Sequence, residues 1–167
     1  TRATTLVCSD DFTLCLSSEG TVFSFGYSNC SANGFEPNED LIPKVIPTLK
    51  QITSISVGLY HSVCLDSSGS IFSFGSNENG ECGIISTTPY SHIPQKVDLP
   101  PCKQISSGNC FTFCVTIDDR LYAFGDNQNG IFGLGNYESY NSPQLIESLK
   151  DIEFVECGYS YVFCKTL

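Results

Sequence analysis

Residues 124–135 read FGDNQNGIFGLG, glycines and polar side chains broken by a few bulky apolar ones. Glycine-rich runs can cradle a phosphate, so a nucleotide loop is the first reading to test. The run returns. FGSNENGECG stands at 74–83 and FGYSNCSANG at 25–34, placing the marker glycines Gly26, Gly75 and Gly125 at intervals of 49 and 50 residues. A phosphate loop occurs once per site and leads into Lys-Ser or Lys-Thr and a helix, and no copy has that sequel. A run that repeats at fixed spacing is architecture.

The flanks repeat in phase with it. Upstream stand SDDFTLCLSSEGTVFSFG, GLYHSVCLDSSGSIFSFG and GNCFTFCVTIDDRLYAFG, and a further copy opens at Gly158 as GYSYVFCKTL. Downstream, prolines recur at 43, 94 and 143. The units therefore run over 1–50, 51–100, 101–150 and an incomplete 151–167 within one repeat domain. Apolar runs such as HSVCL and FTFCV suit strands, and each leads through a short turn into SIFSF or RLYAF. That pattern predicts a hairpin whose last turn residue is left-handed. Asp119 takes the place of Gly20 and Gly69 there, and Asp tolerates the left-handed region better than most residues. A third strand is expected after the proline, and a fourth in ITSISV (52–57), KQISS (103–107) and IEFVE (152–156). Four short strands per unit are the content of a propeller blade, and no helical period competes. In FG-x-N-x-x-G, Asn77 and Asn127 are expected to bond local backbone in the manner of Asx turns.

Composition narrows the function. The 167 residues suffice for one ordinary core, and no apolar run approaches the ~20 residues of a membrane span. Eighteen Asp and Glu against eight Lys and Arg give a net charge of −10, which nucleic-acid phosphates would repel. The cations are scattered over Arg2, Lys44, Lys50, Lys96, Lys103, Arg120, Lys150 and Lys165. Of ten cysteines, Cys15, Cys64, Cys114 and Cys164 share one repeat position. Equivalent positions on successive units lie too far apart for the ~5.5 Å between Cα atoms of a disulfide, so these read as small buried hydrophobes. That implies a reducing intracellular compartment; the cytoplasm is expected in preference to the nucleus. No Cys-x-x-Cys pair occurs, and neither metal nor cofactor is expected. The N-terminal residues show no secretory h-region and no initiator Met, which reads as processing or as part of a longer protein.

The second unit, VGLYHSVCLDSSGSIFSFGSNENGECG, resembles the repeat of the regulator-of-chromosome-condensation family, G-x-x-H-S, L-x-x-x-G and W-G-x-N-x-x-G-Q-L-G. Gly58, His61, Ser62, Leu65, Gly69, Gly75, Asn77, Gly80 and Gly83 carry it, with Phe74 where the family has Trp. The third unit puts Phe111 in the histidine slot, and the first replaces the glycine by Ser9 and the histidine by Phe12. The resemblance implies an all-β propeller of this type, here three four-stranded blades plus the first strand of another. The family's propellers have seven blades, so the resemblance also implies remaining blades in the same chain or a second copy.

Founding members exchange nucleotide on the small GTPase Ran, and many relatives are interaction modules beside ubiquitin-ligase or kinase domains. The expectation here is a protein–protein interaction or regulatory module without catalysis. Exchange on a Ran-like GTPase and a targeting segment of a larger ubiquitin-ligase or kinase-type protein are the alternatives. No catalytic constellation stands apart from the repeat. His61 lies in the repeat's own position, where packing and a backbone hydrogen bond are expected of it, and no serine sits in a Gly-x-Ser-x-Gly elbow. NCS at 29–31 is formally a glycosylation sequon, idle without a secretory signal. Partner contacts are expected in the loops that vary between units, 35–42, 84–92 and 136–142. They hold Glu36, Glu39, Asp40, Tyr90, Tyr137, Glu138 and Tyr140, an acidic, tyrosine-rich set suited to a basic partner.

Overall fold

The computed structural model describes residues 2–28, 30–36 and 38–167, with the backbone alone at 28 and 38–41. Asn29 of the sequon lies outside the described residues. The first sheet is β1 (Ala3–Cys8), β2 (Phe12–Ser17), β3 (Val22–Ser28) and β4 (Asn38–Val45), each strand antiparallel to the one before it. The same meander returns as β5 (Ile52–Val57), β6 (His61–Asp66), β7 (Ile71–Ser76) and β8 (Tyr90–Lys96). It returns again as β9 (Cys102–Ser107), β10 (Phe111–Thr116), β11 (Leu121–Gly125) and β12 (Tyr140–Leu145). A hairpin of β13 (Ile152–Cys157) and β14 (Val162–Thr166) follows.

This all-β arrangement of four-stranded blades carries one correction of phase. ITSISV is not the last strand of its preceding unit but the first of the next sheet, pairing with β6 through Ile55↔Cys64 and Val57↔Ser62. The reason lies in the connections. Residues 58–60 make a tight turn from β5 into β6, whereas 46–51 cross from one sheet to the next. The incomplete unit accordingly contributes two strands, not one.

A second correction concerns the prolines, which lie inside β4, β8 and β12 rather than before them. These are the outer edge strands, where a missing N–H breaks no ladder. Each also bulges at that point: Ser24 faces Lys44 while Gly26 faces Asp40, and the same slip recurs opposite Phe74 and Phe124.

Successive sheets stack through their first two strands and share three apolar layers. Phe12, Leu14 and Leu16 meet Ile52, Ile55 and Cys64; Val63 and Leu65 meet Ile105, Cys114 and Phe124; Phe113 and Val115 meet Ile152 and Val155. Main-chain bonds lock the register between sheets. The N–H groups of Ile52, Cys102 and Ile152 donate to the carbonyls of Gly20, Gly69 and Asp119, at 3.1, 2.8 and 3.0 Å. Asp119 is left-handed as expected, with φ 62°, and it presents its carbonyl just as the two glycines do.

All ten cysteines are free thiols. Cys64, Cys82 and Cys114 are buried, and desolvation pushes their thiols far up; Cys157 is raised to about 12 and Cys110 to about 11 by the same cause. Maleimide labelling at neutral pH followed by mass spectrometry is expected to modify exposed Cys8 first and to reach Cys64, Cys82 and Cys114 only in denaturant. Prompt labelling of all ten in buffer would contradict the packing.

Candidate functional site: the loop end of the blades

Strand direction sorts the connections to two ends. The β1–β2 turns and the long β3–β4 loops, with their equivalents, open at one end, the loop face. The β2–β3 hairpins and the crossings between sheets lie at the other, the turn face. All three variable segments singled out from the sequence are on the loop face.

The repeated polar residues there are committed to structure. Asn77 Oδ1 accepts from Cys82 N–H at 3.0 Å while its Nδ2 donates to the Ile84 carbonyl at 2.7 Å. Asn127 does the same with Phe132 N–H and the Asn136 carbonyl, at 3.0 and 3.1 Å. Both fold their own loop, as the Asx reading required. The hydroxyls of Ser62 and Thr112 donate back to the preceding blade's loop, at the carbonyls of Ala32 (2.6 Å) and Glu81 (3.0 Å).

His61 is fully buried, and its partner is a side chain rather than the expected backbone group. Its Nε2 lies 2.9 Å from Thr112 Oγ1 in the next blade. Thr112 already donates to Glu81, so its oxygen accepts from Nε2–H, which assigns that tautomer. Nδ1 is buried without a partner. Desolvation lowers the imidazole from 6.5 to about 3, so it is uncharged at neutral pH. Gly58 makes room for the ring, since a Cβ there would stand 2.2 Å from His61 Cε1. The G-x-x-H pattern is thus a ring laid on a bare backbone, and Phe111 on Gly108 and Tyr161 on Gly158 repeat it.

The proposed contact residues fare differently. Tyr137 is exposed, and so is Glu138, whose N–H bonds Asn136 Oδ1. Glu36 is exposed and meets His92 Nδ1 at 3.3 Å. The predicted loops end sooner than drawn. Glu39 and Asp40 lie in β4, opposite Tyr27 and Gly26, and their side chains fall outside the described residues. Tyr90 and Tyr140 open β8 and β12. Tyr90 is half exposed, whereas Tyr140 packs on Phe132 (6.4 Å between centroids) and accepts from Asn136 Nδ2 at 2.9 Å. Its role is to hold a loop. The sequence reading missed Tyr60 and Tyr159, exposed on the β5–β6 and β13–β14 turns of the same face, because only strand direction brings them there.

Blades that stack by repeated main-chain and side-chain bonds and differ most in their loops define a partial propeller. The chain belongs to the regulator of chromosome condensation (RCC1) repeat family: one repeat model matches residues 68–115 and 118–164, and a second matches 52–81 and 102–131. Among solved structures it is similar to human WBSCR16, at 15% identity and TM-score 0.85 over 97% of this chain and 44% of that one. It is also similar to Prp20p of Saccharomyces cerevisiae, described with its binding properties to Gsp1p and histones, at 20% identity and TM-score 0.86 over 98% of this chain and 43% of that one. The ectodomain of the Physcomitrella patens receptor kinase CR4 matches at 15% identity and TM-score 0.60, over 97% and 40%. The chain therefore spans less than half the length of these structures, and at such identities the likeness is one of fold. No curated protein matches the chain significantly in sequence.

Proposed function

We propose that this chain is a protein-binding, regulatory module that works by recognition and carries no chemistry of its own, in a reducing intracellular compartment. One observation carries the reading. Each polar group at the motif positions that could suggest a site, His61, Thr112, Asn77 and Asn127, is engaged in holding blades and loops together, which leaves recognition to the variable loops. The test is affinity capture followed by comparison of the Tyr90→Ala/Tyr137→Ala pair with wild type. Loss of a reproducible partner from the variant, with circular dichroism unchanged, is the expected outcome. Unchanged capture would remove these loops from the interface.

Guanine-nucleotide exchange on a Ran-like GTPase is the second reading, favoured by the likeness to Prp20p and the description of that protein as binding Gsp1p. It requires that the folded chain accelerate release of a fluorescent nucleotide from such a GTPase. No acceleration at high concentration leaves the binding module alone.

A further inference from the structure

Charge is divided between the two ends of the blades. All eight Lys and Arg lie in turn-side connections or in the turn-side halves of strands. Lys44, the nearest to the loops, reaches over the Phe35 ring, 5.5 Å from its centroid. Eight of the eighteen Asp and Glu accompany them, and several form ion pairs: Lys103 with Asp119, Arg120 with Asp118 and Lys165 with Glu153. The other ten Asp and Glu lie on the loop side. The turn face is therefore neutral overall, and the whole net charge of −10 belongs to the loop face.

Asp10, Asp11, Glu78, Asp126 and Glu138 are exposed or on exposed loops there, and none has an ion-pair partner among the described residues. Two further features of this face point to a cationic ligand. At the inner end of the blades, Asp10, Leu59, Ser107, Asn109 and Tyr159 line an open recess of about 260 Å³. Asn109 Oδ1 and Ser107 Oγ in its wall are buried without a hydrogen-bond partner, and Oδ1 can only accept. Tyr159 lines it, and Tyr60 and Tyr137 are exposed elsewhere on the same face; such ring faces attract ammonium and guanidinium groups. Exposed aromatic faces and unopposed carboxylates complement Lys and Arg side chains. They do not complement phosphate or an anionic membrane.

We propose that the loop face receives a Lys/Arg-rich segment of the partner protein, an inference that rests on the binding-module reading and names its chemistry. Because the charges are exposed, the attraction is screened beyond ~8 Å at physiological ionic strength, and binding weakens as salt rises.

The probe is a fluorescein-labelled peptide of alternating Lys, Arg and Gly, followed by anisotropy against the full chain. Replacing Asp10, Asp11, Glu78 and Asp126 by their amides is expected to weaken binding about tenfold or more. Replacing the turn-face acids Glu19, Asp98, Glu147 and Asp151 in the same way changes it less than about twofold. Equal weakening by both sets would show attraction to net charge and overturn the proposal, as would the absence of binding at low salt. The single exposed change Glu138→Lys, which leaves the core untouched, is expected to weaken the peptide without altering the circular dichroism. If a captured protein partner is retained while the peptide shows no preference between faces, the inference fails and the module reading stands. If the wild-type chain captures no partner and binds no peptide, both fail.

Discussion

Gly75→Ala is expected to lower the urea midpoint of unfolding sharply, by the equivalent of about 4 kcal/mol. Gly75 has φ 104°, a backbone conformation that side chains rarely adopt. A Cβ there would lie 2.5 Å from the Tyr60 carbonyl oxygen, 2.8 Å from His61 Cα and 3.0 Å from Ala32 Cβ. The first two belong to backbone, which cannot swing aside. The crowding is built in, because the next residue, Ser76, donates its N–H to that same Tyr60 carbonyl at 2.7 Å. Backbone strain of ~1–3 kcal/mol and overpacking of a similar size add to about 4 kcal/mol, a large share of the ~5–15 kcal/mol of a domain. Gly133→Ala is the control, with φ 65° but nothing within 4 Å of the added methyl. It carries strain without a clash and is expected to cost about 1 kcal/mol. Urea midpoints by far-ultraviolet circular dichroism distinguish them, and closely similar midpoints would refute the packing argument.

Gly75 also shows why the repeat was legible. FG recurs because β7 must pass over the β5–β6 turn and bond it, and Tyr27 to Asp11 and Asp126 to Cys110 repeat that bond at 2.9 and 2.8 Å. A constraint imposed once per blade is written once per unit, so spacing alone gave the architecture. Strand phase was not written that way. ITSISV has the same composition whether it closes one sheet or opens the next, and only the three-residue turn 58–60, too short to leave the sheet, decides it. The loop ends were hidden for a related reason: Tyr90 and Tyr140 suit an exposed loop and an edge strand equally. The charge of the loop face was beyond sequence reading altogether. The cations look scattered along the chain, and their shared end emerges only when each strand has a direction.

Acid sensitivity is the second large effect, and His61 is its expected source. In the unfolded chain its imidazole takes up a proton near the ordinary value of 6.5, whereas in the folded chain burial delays this to about 3. A histidine with a depressed folded pKa contributes stability above its unfolded value and loses it as the pH falls, because protons then favour the unfolded state. The loss begins near pH 6.5, grows toward pH 3, and amounts to about 2 kcal/mol between pH 7 and pH 5. His61→Phe isolates it. The neighbouring units already hold Phe12 and Phe111 in this slot, so the ring is accommodated, and Thr112 keeps its bond to the Glu81 carbonyl. The substitution also removes the unpartnered Nδ1, which offsets loss of the bond to Thr112 and holds stability at pH 7 within about 1 kcal/mol of wild type. Urea unfolding at pH 7 and pH 5 is then expected to show wild type losing about 2 kcal/mol more than the variant. Curves that shift in parallel would mean that His61 is reached by water or by a counter-charge in the folded chain. The closed seam between the second and third blades would then have to be abandoned.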